Sequence, residues 1–329
     1  MTACRFIGAT ALALAAMLAL SSCAATLPAQ TTSRSPSPSM SATPSASAIP
    51  ASHDLFAPGL AQQVVSELVT AAAGKPVVRV VINRTQARLT YIGDGDRPRS
   101  MVWLAGVITP SDDGTDLVAA TSFDPNTFNL SDVASLFTIA AQVSGSAERQ
   151  ELQINEYDHR QILMTVTTSP ESSTVFFDRD GNPIPRLDLT VDKDLAIGLN
   201  DVYYHRRFVL TVSVTVDSAD VMSSADQVWV DVLDTPGVVE RRIRTATVPM
   251  FITQRRETPS TLPFDQTVID PAVIGQLIRT APLLLEQPDV TTVTVTVNQP
   301  ADADQPRITV ESGGSKVVTD LMGNKIENP

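Results

Sequence analysis

The chain reads as an α+β protein made of tandem repeats, each with one helix packed on a three- to four-stranded antiparallel sheet. Three observations predict this. Phe123-Asp124 recurs as Phe264-Asp265, 141 positions on. After each pair, an apolar stripe of helical period gives way to apolar residues alternating with period two. Each copy then closes on a matching turn, VFFDRDGNPI at 175–184 and VVTDLMGNKI at 317–326, sharing Val, Asp, Gly, Asn and Ile at an offset of 142.

Taken in order, Leu60, Val64 and Leu68 predict the first helix, with strands at Val77–Ile82 and Ala87–Ile92 after it. Gly93-Asp94-Gly95-Asp96 reads as the hairpin connection between Tyr91 and Met101, since glycine takes positive φ without strain. The second helix starts with Ser131 as N-cap and places Val133, Leu136, Phe137 and Ala140 on one face. Strands at Leu152–Ile154 and Ile162–Val166 follow. A third helix is expected near Asp192–Tyr203, then a strand that turns Leu210, Val212, Val214 and Val216 one way and Thr211, Ser213 and Thr215 the other. The fourth helix has Asp270 as cap and Pro271 at its first position, where the missing N–H costs nothing, followed by Ile274, Leu277, Ile278 and Ala281. Val293, Val295, Val297, Ile308 and Val310 supply the last strands.

MVWLAGVITP (101–110) also echoes QVWVDVLDTP (227–236), and these stretches hold both tryptophans, Trp103 and Trp229, read here as buried aromatics at equivalent positions. The units therefore run 53–122, 123–186, 187–253 and 264–329 in an A-B-A′-B′ order, as two pairs, 53–186 and 187–329. Gln254–Pro263, rich in turn formers and charge, separates the last two. The helix of each unit covers one sheet face, while the Thr/Ser-rich face meets water or a neighbouring sheet. Duplicated units of this kind commonly join sheet edge to sheet edge or in pseudo-twofold pairs.

The first 52 residues are of another character. Arg5 and an uncharged apolar run from Phe6 to Leu20 have the form of a secretory signal. The run is shorter than the roughly 20 residues a transmembrane helix needs. It ends in Leu20-Ser21-Ser22-Cys23. This resembles the lipobox of bacterial lipoproteins. The resemblance implies cleavage of 1–22 between Ser22 and Cys23, a diacylglyceryl thioether on Cys23, and a protein held at the outer face of the cell membrane. From Cys23 to about Ser52 the chain is Ser, Thr, Ala and Pro with one charge, Arg34, a composition with too little apolar surface to fold. As an extended tether it would reach up to roughly 80 Å, at about 3.1 Å per residue. The order helix then three or four strands is likewise similar to PepSY-like and β-lactamase-inhibitor-like repeats of secreted bacterial proteins, a resemblance of element order alone.

Composition narrows the chemistry. With net charge −12, the chain lacks the Lys/Arg excess on which sequence-independent nucleic-acid affinity depends, so no nucleic-acid partner is expected. Of the two cysteines, Cys4 leaves with the signal and Cys23 is the lipidation site, which leaves no thiol for a disulfide, zinc ligation or nucleophilic attack. His53, His159 and His205 share no metal-ligand spacing and read as exposed strand ends. Nucleophile-elbow, SxxK, Walker and dinucleotide motifs are missing, so neither enzymatic activity nor a cofactor is expected.

Asp178-Arg179-Asp180-Gly181 begins like a calcium loop, but glycine comes fourth rather than sixth and position twelve is Leu189. Its copy keeps Asp320 and Gly323 with Leu321 and Met322 between, so both read as structural turns and no metal is expected. Arg241, Arg242 and Arg244, with Arg255 and Arg256 nearby, form the basic cluster of an acidic chain and mark a partner surface, a contact with lipid headgroups or, as the simpler reading, a solvated strand face. The expected function is a membrane-anchored, non-enzymatic binding or scaffolding module. The alternatives are a carrier of an apolar or small ligand, favoured by an inter-unit cavity lined by residues of the Leu136/Phe137 and Leu277/Ile278 type with no polar residues to seal it, and an inhibitor that grips a secreted enzyme with a concave sheet face.

Overall fold

Two long antiparallel sheets dominate the computed structural model, which describes residues 53–112, 120–169, 173–217, 220 and 223–327. The signal segment, Ser22, Cys23 and the tether to Ser52 lie outside the described residues. Helix α1 (Leu60–Ala71) leads into β1 (Val77–Ile82), β2 (Gln86–Ile92), β3 (Pro98–Leu104) and β4 (Val107–Ser111). Helix α2 (Val133–Ser144) leads into β5 (Glu151–Asp158), β6 (Gln161–Thr167) and β7 (Val175–Phe177). Helix α3 (Asp192–Tyr203) precedes β8 (Phe208–Val209), β9 (Thr211–Asp217), β10 (Gln227–Thr235), β11 (Val238–Thr245) and β12 (Phe251–Arg256). After the short β13 (Thr261–Leu262) and β14 (Phe264–Asp265), helix α4 (Pro271–Leu284) leads into β15 (Thr292–Pro300), β16 (Arg307–Ser312) and β17 (Ser315–Thr319).

Mixed helices and antiparallel sheets are as expected, but the sheets are larger than three or four strands. The first runs β4-β3-β2-β1-β5-β6-β7 and the second β12-β11-β10-β9-β15-β16-β17, with β13 paired to one end of β15 and β14 to β8. The joins are β1 to β5 and β9 to β15. Each of these strands would otherwise present a row of unpaired N–H and C=O groups, and pairing satisfies both rows at once. Part of the separating segment is also ordered, since Gln254–Arg256 completes β12 and Thr261 and Leu262 pair with Pro300 and Gln299.

Each sheet carries its two helices on one face. In the first, Val64, Val65 and Leu68 of α1 and Leu136, Phe137 and Ala140 of α2 share a core with Val80, Ile82, Leu89, Trp103, Leu152 and Ile154. In the second, Leu195, Leu199 and Val202 of α3 and Ile274, Leu277 and Ile278 of α4 pack on the valines of β9, β10 and β15. At about 1.5–3 kcal/mol for each fully buried aliphatic side chain, these two cores are the main source of stability. Asp270 caps α4 through the Ala272 N–H, with Pro271 first in the helix. For α2 the cap is Asp132, which accepts from Ser135 N at 3.0 Å, rather than Ser131. The Ser131 hydroxyl donates to Asn129 Oδ1 instead.

The two turns superpose bond for bond. Asp178 Oδ1 accepts from Asp180 N and Asn182 N at 2.9 Å each, and Asp320 Oδ1 accepts from Met322 N and Asn324 N at 2.9 Å each. Gly181 and Gly323 take φ of 87° and 83°, which an L side chain adopts only with strain.

The tryptophans are not equivalent. Counting outward from the central pair, Trp103 lies on β3, the third strand, and Trp229 on β10, the second. Trp103 is buried in the core against Ala87 and Ile108, whereas Trp229 sits half-buried on the opposite sheet face, out of step with Val228 and Val230. Strand periodicity of two means that matching letters one residue out of step face opposite ways.

Candidate binding surface

Helix α3 ends in a loop whose sequence, Tyr203-Tyr204-His205-Arg206-Arg207-Phe208, puts three Tyr or Phe residues within six in a chain that is 5% aromatic. Leu195, Leu199, Val202 and Tyr203 spend the apolar face of the helix on the core. Tyr204 and Phe208 fall beyond that face and are 63% and 58% exposed. Aromatics grouped on one loop are of the kind enriched at interaction sites.

The loop is held from several sides. Tyr204 N donates to Asn200 O at 3.2 Å and Arg206 N to Tyr203 O at 2.6 Å. His205 has φ of 58°, a left-handed conformation costly for a residue with a side chain. The Arg242 guanidinium donates to Tyr204 O at 2.7 Å, so a cation closes the carbonyl end of the helix, where the peptide dipoles favour positive charge. Arg206 reaches Asp234 at 3.4 Å and Glu240 at 3.7 Å, and Arg207 Nε donates to Asp265 Oδ2 at 2.8 Å. Hydrogen bonds from Thr267 and the Arg207 guanidinium hold the Asp265 carboxyl down at about 2, so this contact is intact across the physiological range. Backbone pairing of Phe208 and Val209 with Asp265 and Phe264 completes the frame. On top, the Tyr204 and His205 rings lie 4.2 Å apart and the Arg207 guanidinium stands 5.5 Å from the Phe208 ring centre.

The arginines expected to share one surface are divided between two. Arg242 and Arg244 point to the helix side of β11, opposite Val230 and Val228, and both are buried. Arg244, 1% exposed, donates to Asp201 Oδ2 at 3.1 Å, to Thr245 O and Pro185 O at 2.6 Å each, and to Val248 O. Its charge is consumed by fixing the chain ends around α3. Arg241 lies on the other face, 3.6 Å above the Trp229 ring and doubly bonded to Asp231 at 2.7 and 2.8 Å. Arg255 grips the same carboxylate at 2.7 and 3.1 Å. Burial pushes the Asp231 carboxyl up, but the two guanidiniums outweigh it and hold it below the usual carboxylate range. The three arginines therefore make no common patch: Arg242 positions the Tyr204–Phe208 loop, Arg241 stacks on the Trp229 ring, and Arg244 ties Pro185 to the end of β11.

The histidines are apart. His159 occupies the β5–β6 turn, with Nδ1 2.9 Å from Asp158 Oδ1, and His53 lies against Trp103 at 6.2 Å between ring centres. His205 alone belongs to the aromatic loop, which the sequence reading set aside as a strand end; the local density of aromatics was the signal that could have found it. Among the described residues no group of three or more His, Cys, Asp or Glu is placed to hold a metal ion. Leu136, Phe137 and Leu277 are core residues, while Ile278 also lines a cavity of about 330 Å³ with Val216, Pro282, Val290 and Val293, bordered by the polar Thr190 and Arg279.

No known protein family matches the chain, and no curated protein does. Among solved structures, the H. pylori beta clamp in complex with 5-chloroisatin aligns at 8% identity and a TM-score of 0.15, over 82% of this chain and 62% of the clamp. A DNA polymerase sliding clamp from Pseudomonas aeruginosa aligns at 14% identity and a TM-score of 0.13, over 82% of this chain and 61% of that one. The chain thus spans less than two thirds of the length of the structures it aligns with, and overlap at such TM-scores carries no inference about fold or role.

Proposed function

We propose that this protein is a lipid-anchored, extracytoplasmic binding or scaffolding module without enzymatic activity, and that its partner docks on the Tyr204–Phe208 loop. Each of the two long sheets is read as two helix-plus-strands repeats fused at their edges, in the manner of the PepSY-like and β-lactamase-inhibitor-like modules the chain resembles. The anchor rests on Leu20-Ser21-Ser22-Cys23 and the Pro/Ser/Thr tether after it. The docking role rests on one observation, two exposed aromatics on a loop whose strained backbone is fixed by Arg242, Arg206 and Arg207. Presenting aromatics already ordered reduces the entropy lost when a partner binds.

A photo-crosslinking residue at position 204, incorporated in producing cells, is expected to capture a specific protein in the membrane fraction. Tyr204→Ser with Phe208→Ser is expected to abolish capture by a crosslinker placed at His205 while leaving the melting temperature nearly unchanged. Undiminished capture by that double variant would overturn the assignment of the surface. Mass spectrometry of the mature amino terminus tests the anchor separately, and an unmodified Cys23 would overturn it.

The carrier alternative keeps one supporting feature, the cavity beside Ile278, whose volume of about 330 Å³ is at the lower end for small-molecule sites. Saturable binding of a fluorescent fatty acid, lost on Val293→Trp, would favour it over protein docking.

A further inference from the structure

The β3–β4 hairpin ends in Leu104-Ala105-Gly106-Val107, four consecutive apolar residues at a tip. Leu104 and Val107 pair with each other and are 54% and 59% exposed. Ala105 and Gly106 take φ of 49° and 85°, the two left-handed positions of a type I′ turn. Such turns normally carry Asn-Gly or Asp-Gly, and alanine at positive φ is strained where asparagine would be tolerated. Other two-residue hairpins of this chain are different. His159-Arg160 is flanked by Asp158 and Gln161, Gly313-Gly314 by Ser312 and Ser315, and Pro236-Gly237 by Thr235 and Val238. An exposed run of four apolar residues opposes solubility unless something covers it.

The same tip is where the folded body receives the chain that precedes it. His53, the first described residue, packs on the hairpin: a Cβ on Gly106 would come within 3.0 Å of His53 Cε1, and the His53 ring faces Trp103. The entry point is pinned just afterwards by buried Leu55, whose N–H donates to Arg84 O at 2.9 Å, and by Asp54, which pairs with Arg84 at 2.8 Å. The described chain therefore begins beside the hairpin tip.

We infer that the Leu104–Val107 tip is a lipid-contacting wedge, which seats the body on the bilayer to which the tether leads. The inference rests on the lipoprotein reading for its setting. Two aliphatic side chains alone would hold a free protein to a membrane only weakly. A tether changes that, because linkage converts the contact into an intramolecular one at an effective concentration in the millimolar range. A wedge of apolar residues without cationic help also suits a chain of net charge −12, which anionic lipid would repel.

The experiment uses the mature chain, Cys23 to Pro329, coupled through its single thiol to a maleimide lipid in phosphatidylcholine vesicles, so that attachment does not depend on cellular acylation. Trp229→Phe leaves Trp103 as the only tryptophan, one residue from the tip. Replacing the lipid by phosphatidylcholine brominated near the headgroup is expected to cause a loss of Trp103 emission. That loss should vanish in Leu104→Asp/Val107→Asp, two exposed changes that leave the melting temperature in place, and in uncoupled protein mixed with the same vesicles it should be much smaller. Equal emission in brominated and plain vesicles would overturn the wedge, as would quenching that persists in the double variant. The mass of Cys23 from producing cells is a separate measurement, so failure of the wedge and failure of the lipoprotein reading are distinguishable.

Discussion

The two halves of the body solve the same packing position with opposite chemistry. In the first, the cross-strand row Ile154–Val80–Leu89 ends on Met101 of β3, packed against the core. In the second, the matching row Val295–Val214–Val228 ends on Arg244 of β11. One row further out, Arg99 of the first half is exposed and paired with Asp112, while its counterpart Arg242 is buried and closes α3. A thioether in the first half does nothing but fill space. The guanidinium of the second collects the carbonyls of Pro185, Thr245 and Val248, and so ties the connection between halves to the end of β11. The two halves share the backbone rows, and they differ in what each row ends on.

The sharpest way to break the comparison is at that position. Arg244→Ala is expected to cost about 3–5 kcal/mol, because it strips three carbonyls of their donor and leaves Asp201 unpaired. The Asp201 side chain is 40% exposed and can turn to water, so most of the loss comes from the carbonyls. Arg244→Met, which installs the residue of the first half, should recover only the part due to packing. Urea denaturation of the three proteins measures this; a methionine variant as stable as the parent would show that the guanidinium serves no structural purpose.

Much of this was legible in the sequence where local chemistry dictates structure. Asp178/Gly181 and Asp320/Gly323 could be matched because only a few residues fit a turn with a left-handed position. Asp270-Pro271 announced a helix start for a similar reason. Edge-to-edge joining was one of two packings the sequence left open, since the alternating pattern of Val293–Val297 is the same whether β15 has one neighbour or two. The Val-Trp echo misled because letters do not reveal which strand of a unit they occupy. Arg241 to Arg244 alternate charged residues toward both faces, so the usual apolar-in, polar-out pattern was absent and their burial depended on partners far off in sequence, such as Asp201 and Pro185.

A second test uses the tryptophans. Trp103→Ala removes a buried indole from the first core and is expected to cost about 3–5 kcal/mol. Trp229→Ala removes a half-buried ring whose main contact is the Arg241 guanidinium, so about 1 kcal/mol is expected. If thermal unfolding shows the two costs to be equal, the assignment of the tryptophans to different strands and opposite faces is wrong.

The finest distinction lies within the matched turns. Gly181→Ala and Gly323→Ala both force an L side chain to φ near +85°, at a cost of roughly 1–2 kcal/mol each. Their surroundings differ slightly. A Cβ at Gly181 meets Leu136 Cδ2 at 3.3 Å, whereas at Gly323 the nearest atom, Val273 Cγ1, is 3.6 Å away. The first substitution must push back a helix α2 side chain that is itself buried in the core, and the second finds ordinary van der Waals contact. Gly181→Ala should therefore be the more destabilising by a few tenths of a kcal/mol, a difference resolvable by comparing urea midpoints at equal slope. The reverse order would mean that the α2 side of the first half yields more readily than the α4 side of the second, and that the two helix-on-sheet units differ in rigidity despite sharing every bond of the turn.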